Sequence, residues 1–450
     1  MKKIQVGIAE NALTVPLFTE LYGYGPFLGR RNRGTHDPLY CRAITFFDGK
    51  RRNLLIVSDA CVTNQDYAHR IRRNLSQKLG IEPSGIFMAG THTHSGPAMA
   101  NGIGWGAVDE HYLRHWARMV QKTAAEALTT EEPVEAFAGR APLSMHLSYN
   151  RTNPIGESVI RKRLESGEDA HDDDNWPTDP EIRWVQLKRK DGSVKVLIHN
   201  YGMHGVVGGG RSMYVSADWM GEANRLIKER KLADTPFFIY GAAGDINSCP
   251  IGKQIGTPEG NEALAWIGRH YVDDLQASIA KGGHPIELAP LQNALESVQM
   301  PTIHEDSAQL LANAELVRKT NGRPFLADRY EEMALLYDMG KRFEFSLDLQ
   351  VLRMGELAVY AFPGEPFFEL GRRVMEGSPY SFALPAGVAN GNGRYFPTKK
   401  VFDRFKNGLA SENRSYGFYE IYQGCGAFMP PYQSNVADFI VGKLLKMNVK

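Results

Sequence analysis

The chain has 450 residues, 43% hydrophobic and 23% charged, a composition that places it among soluble globular proteins long enough to bury a large core. Its 52 basic residues balance 51 acidic ones to a net charge of +1, so the overall basic surplus on which nucleic-acid binding draws is missing. No apolar run approaches the ~18 residues of a membrane span. The four cysteines, Cys41, Cys61, Cys249 and Cys425, are too few and too scattered for a disulfide framework or a cysteine-rich zinc site. Lys2 and Lys3 resemble the start of a signal peptide, but Gln5 and Glu10 interrupt any apolar stretch behind them, so a cytoplasmic protein is expected.

Residues 54–57 form a short apolar run, read as a buried strand. Residues 64–79 follow as a helix, with Tyr67, Ile71, Leu75 and Leu79 on one face and Gly80 as its C-terminal cap. A second strand over 86–89 completes a βαβ unit with a parallel pair. Ligands in such sheets lie beyond the carboxyl ends of the strands, where His92 and His94 fall. A helix is expected over 109–128 and a hairpin over 183–198, turning at Asp191-Gly192 and leading to His204.

Further along, 219–228 reads as a helix, and 237–240 as a strand ending in Gly241-Ala242-Ala243-Gly244-Asp245. Helices are expected over 262–280, 306–320, 327–340 and 436–446. An antiparallel pair, 343–353 and 357–362, turns at Met354-Gly355 and ends at Pro363-Gly364-Glu365-Pro366. The acidic stretch 165–174 reads as a solvated loop, its oxygen spacing unlike that of a calcium-binding EF-hand. Strands and helices mix without a clear linker, which predicts one α/β domain over 1–450.

Four loops share a property: each follows a strand-like run and is rich in small residues, which is how a rigid sheet assembles a site from distant parts of a chain. The first is Thr91-His92-Thr93-His94-Ser95-Gly96-Pro97. On an extended segment, residues two apart share a face, and imidazole is a preferred zinc ligand. Two histidines hydrogen-bonded in a polar loop would give the same pattern. His204 precedes Gly208, Gly209 and Gly210; Glu365 sits between glycine and proline, where it could bind a metal or cap a helix. Tyr395 follows Ala389-Asn390-Gly391-Asn392-Gly393-Arg394, and a lone tyrosine there also serves packing.

The segment 91–97 resembles the signature of the neutral/alkaline, non-lysosomal ceramidase family's catalytic domain. Other pieces fall in that family's order. Leu21-Tyr22-Gly23-Tyr24-Gly25 and Cys41-Arg42-Ala43 are similar to its amino-terminal motifs, and Asn150-Arg151-Thr152 to its Asn-Arg-Ser segment. His204-Gly205, Ser216-Ala217-Asp218, Gly244-Asp245-Ile246-Asn247, Pro363-Gly364-Glu365 and Tyr422-Gln423-Gly424 resemble later motifs, and Tyr395 falls where the family has a metal-binding tyrosine. The resemblance spans nearly the whole chain. It implies mixed β-sheets flanked by helices, and an amidohydrolase using zinc, held here by His92, His204, Glu365 and Tyr395.

Under that resemblance His94 stands beside the metal and delivers a proton to the leaving nitrogen. Arg151 grips a substrate oxygen or steadies an oxyanion, and Asp218 and Asp245 orient the histidines or cap helices. The family's serine after Gly-Asp-Val meets Asn247 here, or Ser248 if one residue is inserted, with Cys249 a weaker rival. The family's further carboxy-terminal β-sandwich has no counterpart before the chain ends, and no secretion signal is evident. The expectation is therefore a short homolog, a zinc hydrolase whose metal-activated water cleaves a linear N-acyl bond, not a peptide bond, of a small soluble substrate. A zinc esterase, lactonase or glycan-processing hydrolase, and a non-catalytic binding protein, remain open, as does the oligomeric state.

Overall fold

The computed structural model describes residues 4–24, 29–100, 105–166, 176–320, 324–341, 345–408, 416–423 and 430–449. The chain forms an α/β structure of mixed sheets and helices in which three larger sheets carry most of the strands. The first orders its strands Ile86–Gly90, Arg52–Ser58, Leu39–Phe47, Gln5–Leu13 and Glu132–Pro133. The second orders Thr235–Tyr240, Val194–Tyr201, Glu181–Lys188, Glu135–Pro142 and His284–Ile286. The third orders Leu291–Gln299, Ser346–Met354, Leu357–Ala361 and Phe382–Ala386.

Each sheet is antiparallel except for one parallel pair, and each such pair is joined through a helix. Arg52–Ser58 pairs in parallel with Ile86–Gly90 across helix Gln65–Leu79. Asn64 caps that helix by accepting from the Tyr67 amide, and Gly80 ends it at a φ of 65°, a left-handed turn that a side chain would resist. Val194–Tyr201 pairs with Thr235–Tyr240 across helix Asp218–Glu229, and Leu357–Ala361 with Phe382–Ala386 across helix Phe368–Gly377. The carboxyl ends of these six strands converge on one region.

One core cluster draws on all three sheets. Leu55, Val57 and Phe87 from the first meet Val185, Ile198, Phe237 and Ile239 from the second and Val359 and Leu384 from the third. The neighbouring residues Leu54 and Ile56 point the other way, into a core under the helices. A strand buried on both faces reads as a continuous apolar run rather than an alternating one, which is why 54–57 is conspicuous in the sequence. Each such side chain contributes about 1.5–3 kcal/mol by leaving water.

The expected helices all form, with ends shifted by a few residues. Helix Pro324–Asp338 stops short of Gly340, which turns the chain at a φ of 79°. Helix Pro258–Ala280 begins earlier than read, because Thr257 caps it and Pro258 takes its first position. Residues 343–344 of the expected strand and 167–174 of the acidic stretch lie outside the described residues. Strands Gln5–Leu13, Leu39–Phe47, Glu135–Pro142, Leu291–Gln299 and Phe382–Ala386 carry no clear signal in the sequence reading. No described helix is long and apolar enough to cross a membrane.

Candidate metal centre

The parallel strand ends supply the site. After Gly90 the chain enters the loop of His92 and His94; after Tyr201 it reaches His204; after Tyr240, Asp245; after Ala361, Glu365; and after Ala386, Tyr395. The loops are stitched together by main chain. Thr93 bridges Gly205, the His94 amide donates to the Gly205 carbonyl at 3.0 Å, and the His204 amide donates to the Ile246 carbonyl at 3.1 Å. Glu365–Pro366 and Tyr395–Phe396 form a short parallel ladder with Glu365 directly opposite Tyr395.

His92, His204 and Glu365 each offer a ligand atom, all within 4.8 Å of one another. His92 Nε2 and His204 Nε2 lie 3.3 Å and 3.2 Å from the same carboxylate oxygen, Glu365 Oε2. His94 Nε2 lies 3.3 Å from His92 Nε2. All four residues are buried. The far nitrogens are spoken for: His92 Nδ1 meets the Cys61 carbonyl at 2.6 Å, and His204 Nδ1 the Ile246 carbonyl at 3.0 Å. Those carbonyls can only accept, so each Nδ1 carries the proton. The neutral His204 ring then turns a bare lone pair toward a carboxylate oxygen, a repulsion that a cation between them would remove. This donor set, two imidazoles fixed from behind and one carboxylate, is chemically suited to a zinc ion.

The charges point the same way. Burial opposes ionisation of Glu365, but His92 and His204 outweigh it and hold the carboxyl well below its ordinary range. Burial lowers His92, yet Cys61 and Glu365 carry it up to about 10. Burial and then Arg151 lower His204 to about 4, and burial followed by His92 and His204 lowers His94 well below 6.5. The cluster holds one shared proton and resists a second. Burial, then Glu365, hold the Tyr395 phenol well above 10.0. Its ionisation there requires a cation.

The backbone is strained at these points. His92, Asn390 and Arg394 adopt φ values of 67°, 60° and 66°. Non-glycine residues in this region cost about 1–3 kcal/mol each, which the surrounding hydrogen bonds must offset. Gly23 presses on the His94 ring so closely that a Cβ there would lie 2.5 Å from Cγ. Tyr24 stands edge-on to the same ring at 5.0 Å, and Arg30 donates to the His94 carbonyl.

Arg151 is buried and held at both terminal nitrogens. Nη1 donates to Asn247 at 3.1 Å and Nη2 to the Gly244 carbonyl at 2.9 Å. Nε forms an ion pair with Glu420 at 2.8 Å, and the guanidinium lies over the rings of Tyr395 and Tyr416. A grip on a substrate oxygen or an oxyanion by this side chain would have to compete with Asn247 and the Gly244 carbonyl for its terminal nitrogens. Asp245 accepts from Asn150 and from the Phe368 amide, both at 2.8 Å, tying the Asn-Arg segment to the start of helix Phe368–Gly377 just beyond Glu365. Asp218 spends its oxygens on the amides of Trp219, Val207 and Gly208, which ties the start of helix Asp218–Glu229 to the loop that follows His204 rather than capping the helix.

Asn247, not Ser248, faces the cluster's surroundings. Successive strand residues point to opposite sides. Asn247 bonds Arg151 and Tyr149, while the Ser248 hydroxyl donates to the Pro250 carbonyl at 3.1 Å. The sequence reading passed over Cys61, Tyr240, Tyr416, Tyr419 and Glu420. Cys61 was legible: it follows strand Arg52–Ser58, the parallel neighbour of the histidine strand, and its Sγ lies 3.7 Å from His92 Nδ1. With His92 and His94 it makes a second triad close enough to hold an ion.

No family model matches the sequence, and no curated protein matches it. The structure, however, is similar over 99% of its length to a neutral ceramidase from Pseudomonas aeruginosa, with a TM-score of 0.74, 16% identity and 74% of that chain covered. A structure described as a ceramidase complexed with C2 gives a TM-score of 0.73 at 15% identity, covering 99% of this chain and 75% of the other. At this identity the likeness shows a shared fold.

Proposed function

We propose that the protein is a zinc-dependent hydrolase, an amidohydrolase that cleaves the N-acyl bond of a small, polar compound. The observation that carries this reading is the meeting of His92 Nε2 and His204 Nε2 on one oxygen of Glu365, 3.3 Å and 3.2 Å away, with both rings anchored from behind. The ceramidase-like fold supports the choice of an amide.

His92, His204, Glu365 and Tyr395 would hold the ion. Bound zinc supplies a Lewis acid that polarises an acyl carbonyl and lowers the pKa of water to about 7. The remaining work belongs to the chain. His94 Nε2 lies 3.3 Å from His92 Nε2, beside the groups that would hold the ion, and from there would deliver a proton to the leaving nitrogen. Tyr24 and Gly23 fix its ring. Arg151, locked by Glu420 and Asn247, holds positive charge against the Tyr395 ring and favours ionisation of that phenol.

The test is a metal analysis joined to a substrate panel. Purified protein should contain about one zinc per chain, lose activity to a chelator and regain it with zinc. His92→Ala and His204→Ala should lose the metal while keeping the fold. Linear N-acyl compounds should be cleaved faster than matched esters, lactones or glycosides; preference for one of those assigns the same centre to a different bond. Protein that neither contains nor takes up zinc ends the proposal.

A further inference from the structure

The loop that carries Tyr395 runs along the ends of two strands that lead to other members of the cluster. Val388 and Ala389 donate their amides to the carbonyls of Gly364 and Phe362, at 2.7 Å and 3.0 Å, just ahead of Glu365. Asn390 donates its amide to the Met88 carbonyl at 2.7 Å, on the strand Ile86–Gly90 that leads to His92. Gly393 then donates to the Pro363 carbonyl at 2.6 Å, and Tyr395 arrives opposite Glu365. This path is strained. Val388, Asn390 and Arg394 adopt φ values of 44°, 60° and 66°. Non-glycine residues stay in this region only where their surroundings over-determine them, and for a β-branched residue such as Val388 it is an outlier.

The side chain of Asn390 supplies that constraint. It is fully buried and bonded at both ends. Oδ1 accepts from Arg72 Nη2 at 2.8 Å and from the Met88 amide at 3.3 Å, and Nδ2 donates to Gln350 Oε1 at 2.8 Å. Each partner is itself fixed. Arg72, buried on helix Gln65–Leu79, donates its other terminal nitrogen to Asp348 at 3.1 Å. Gln350, on strand Ser346–Met354, donates Nε2 to the carbonyls of Ser84 and Ile86 at 2.9 Å and 3.1 Å, which leaves Oε1 as the acceptor turned to Asn390. One amide thus joins the loop to a helix, to a strand of the first sheet and to a strand of the third. Glycine would accept the left-handed backbone without cost but could make none of these side-chain bonds.

We propose that Asn390 is a positioning residue of the metal centre: its side-chain amide, held by Arg72 and Gln350, fixes the left-handed path of the loop 387–395 and so the place of Tyr395 opposite Glu365. Asn390 touches neither the ion's ligands nor a substrate; it acts through the backbone that bears Tyr395, and through Met88 on the strand that leads to His92. Its effect on metal binding rests on the reading of Tyr395 as a ligand. Its effect on the loop does not.

The deciding variant is Asn390→Gly in the full chain, because glycine keeps the left-handed backbone and removes only the side-chain bonds. Hydrogen exchange over residues 387–396 should quicken about tenfold. The zinc dissociation constant should rise about 10- to 100-fold, as when a group that orients a ligand is removed. Leu75→Ala is the control for a loss that is merely structural. It opens a cavity on the helix that bears Arg72 and removes none of these bonds, so it should lower the melting temperature and leave the zinc constant within about twofold. Unchanged exchange in Asn390→Gly overturns the hold on the loop. Faster exchange with unchanged zinc affinity, or an equal loss of zinc affinity in Leu75→Ala, overturns the role in the metal centre. If the unaltered chain takes up no zinc, the zinc reading fails with that role, and the exchange result still decides whether Asn390 holds the loop.

Discussion

Glu365 and Tyr395 face each other across a two-residue parallel ladder, and this pairing joins the end of one strand connection to the end of the next. Residues directly opposite in a ladder project to the same side. The carboxylate therefore meets His92 and His204 while the phenol lies under the Arg151 guanidinium, with no freedom for either to swing away. The Glu365 amide is held by the Arg394 carbonyl at 2.7 Å, and a Cβ on Gly364 would come within 2.4 Å of that same oxygen. The glycine of the Pro-Gly-Glu segment is thus required by a close approach of two chains.

The roles proposed for the paired histidines can be separated. His94→Ala should retain zinc and lose about 10²- to 10⁴-fold in kcat, the usual contribution of a positioned proton carrier. Gly23→Ala should do the same more mildly, since its methyl group would displace the His94 ring and not His92. Metal content by mass spectrometry beside kcat decides the matter; zinc lost in His94→Ala would move that residue into the ligand set.

Asn247 and Ser248 make opposite predictions. Asn247→Ala frees the Arg151 guanidinium from one of its anchors and should lower kcat about tenfold, the effect of one misplaced hydrogen bond of about 1.4 kcal/mol. Ser248→Ala should leave kcat within about twofold, because its hydroxyl serves the Pro250 carbonyl. A collapse of rate in Ser248→Ala alone would restore a serine nucleophile.

Glu420 is a test of buried pairing. Both it and Arg151 are buried, 2.8 Å apart. Glu420→Ala leaves the guanidinium uncompensated and should destabilise the protein by about 3–5 kcal/mol in urea denaturation. A loss below about 1 kcal/mol would show that water or another group replaces the carboxylate.

The stability that Asp245 contributes should fall as pH rises through the weakly acidic range. Burial raises the Asp245 carboxyl from 3.8 to about 7, against the bonds from Phe368 and Asn150. Between those values the folded protein binds a proton that the unfolded chain has lost, so the stability present below pH 3.8 declines up to pH 7. Asp218, raised by burial to about 6, acts in the same sense. Asp245→Asn should flatten the stability–pH curve over this window, and an unchanged slope would remove Asp245 as its source.

The sequence by itself determined a good part of this. Its apolar runs located strands Arg52–Ser58 and Ile86–Gly90, its four-residue spacing and caps located helix Gln65–Leu79, and together they placed His92 and His94 beyond a parallel strand end. Motif order gathered His204, Glu365 and Tyr395 with them. These signals are local: periodicity, caps and short segments survive in one dimension. The tertiary structure alone decided that both histidines share one oxygen of Glu365, that Arg151 is held by Glu420, and that Asn247 takes the side Ser248 does not. It alone set how closely Cys61 stands to His92, with Sγ 3.7 Å from Nδ1. Each of these depends on how far one sheet stands from another and on which face a side chain takes. Those distances are set by the packing of Leu55, Phe87, Phe237 and Leu384 between the sheets, contacts between residues far apart in the chain that no local pattern encodes.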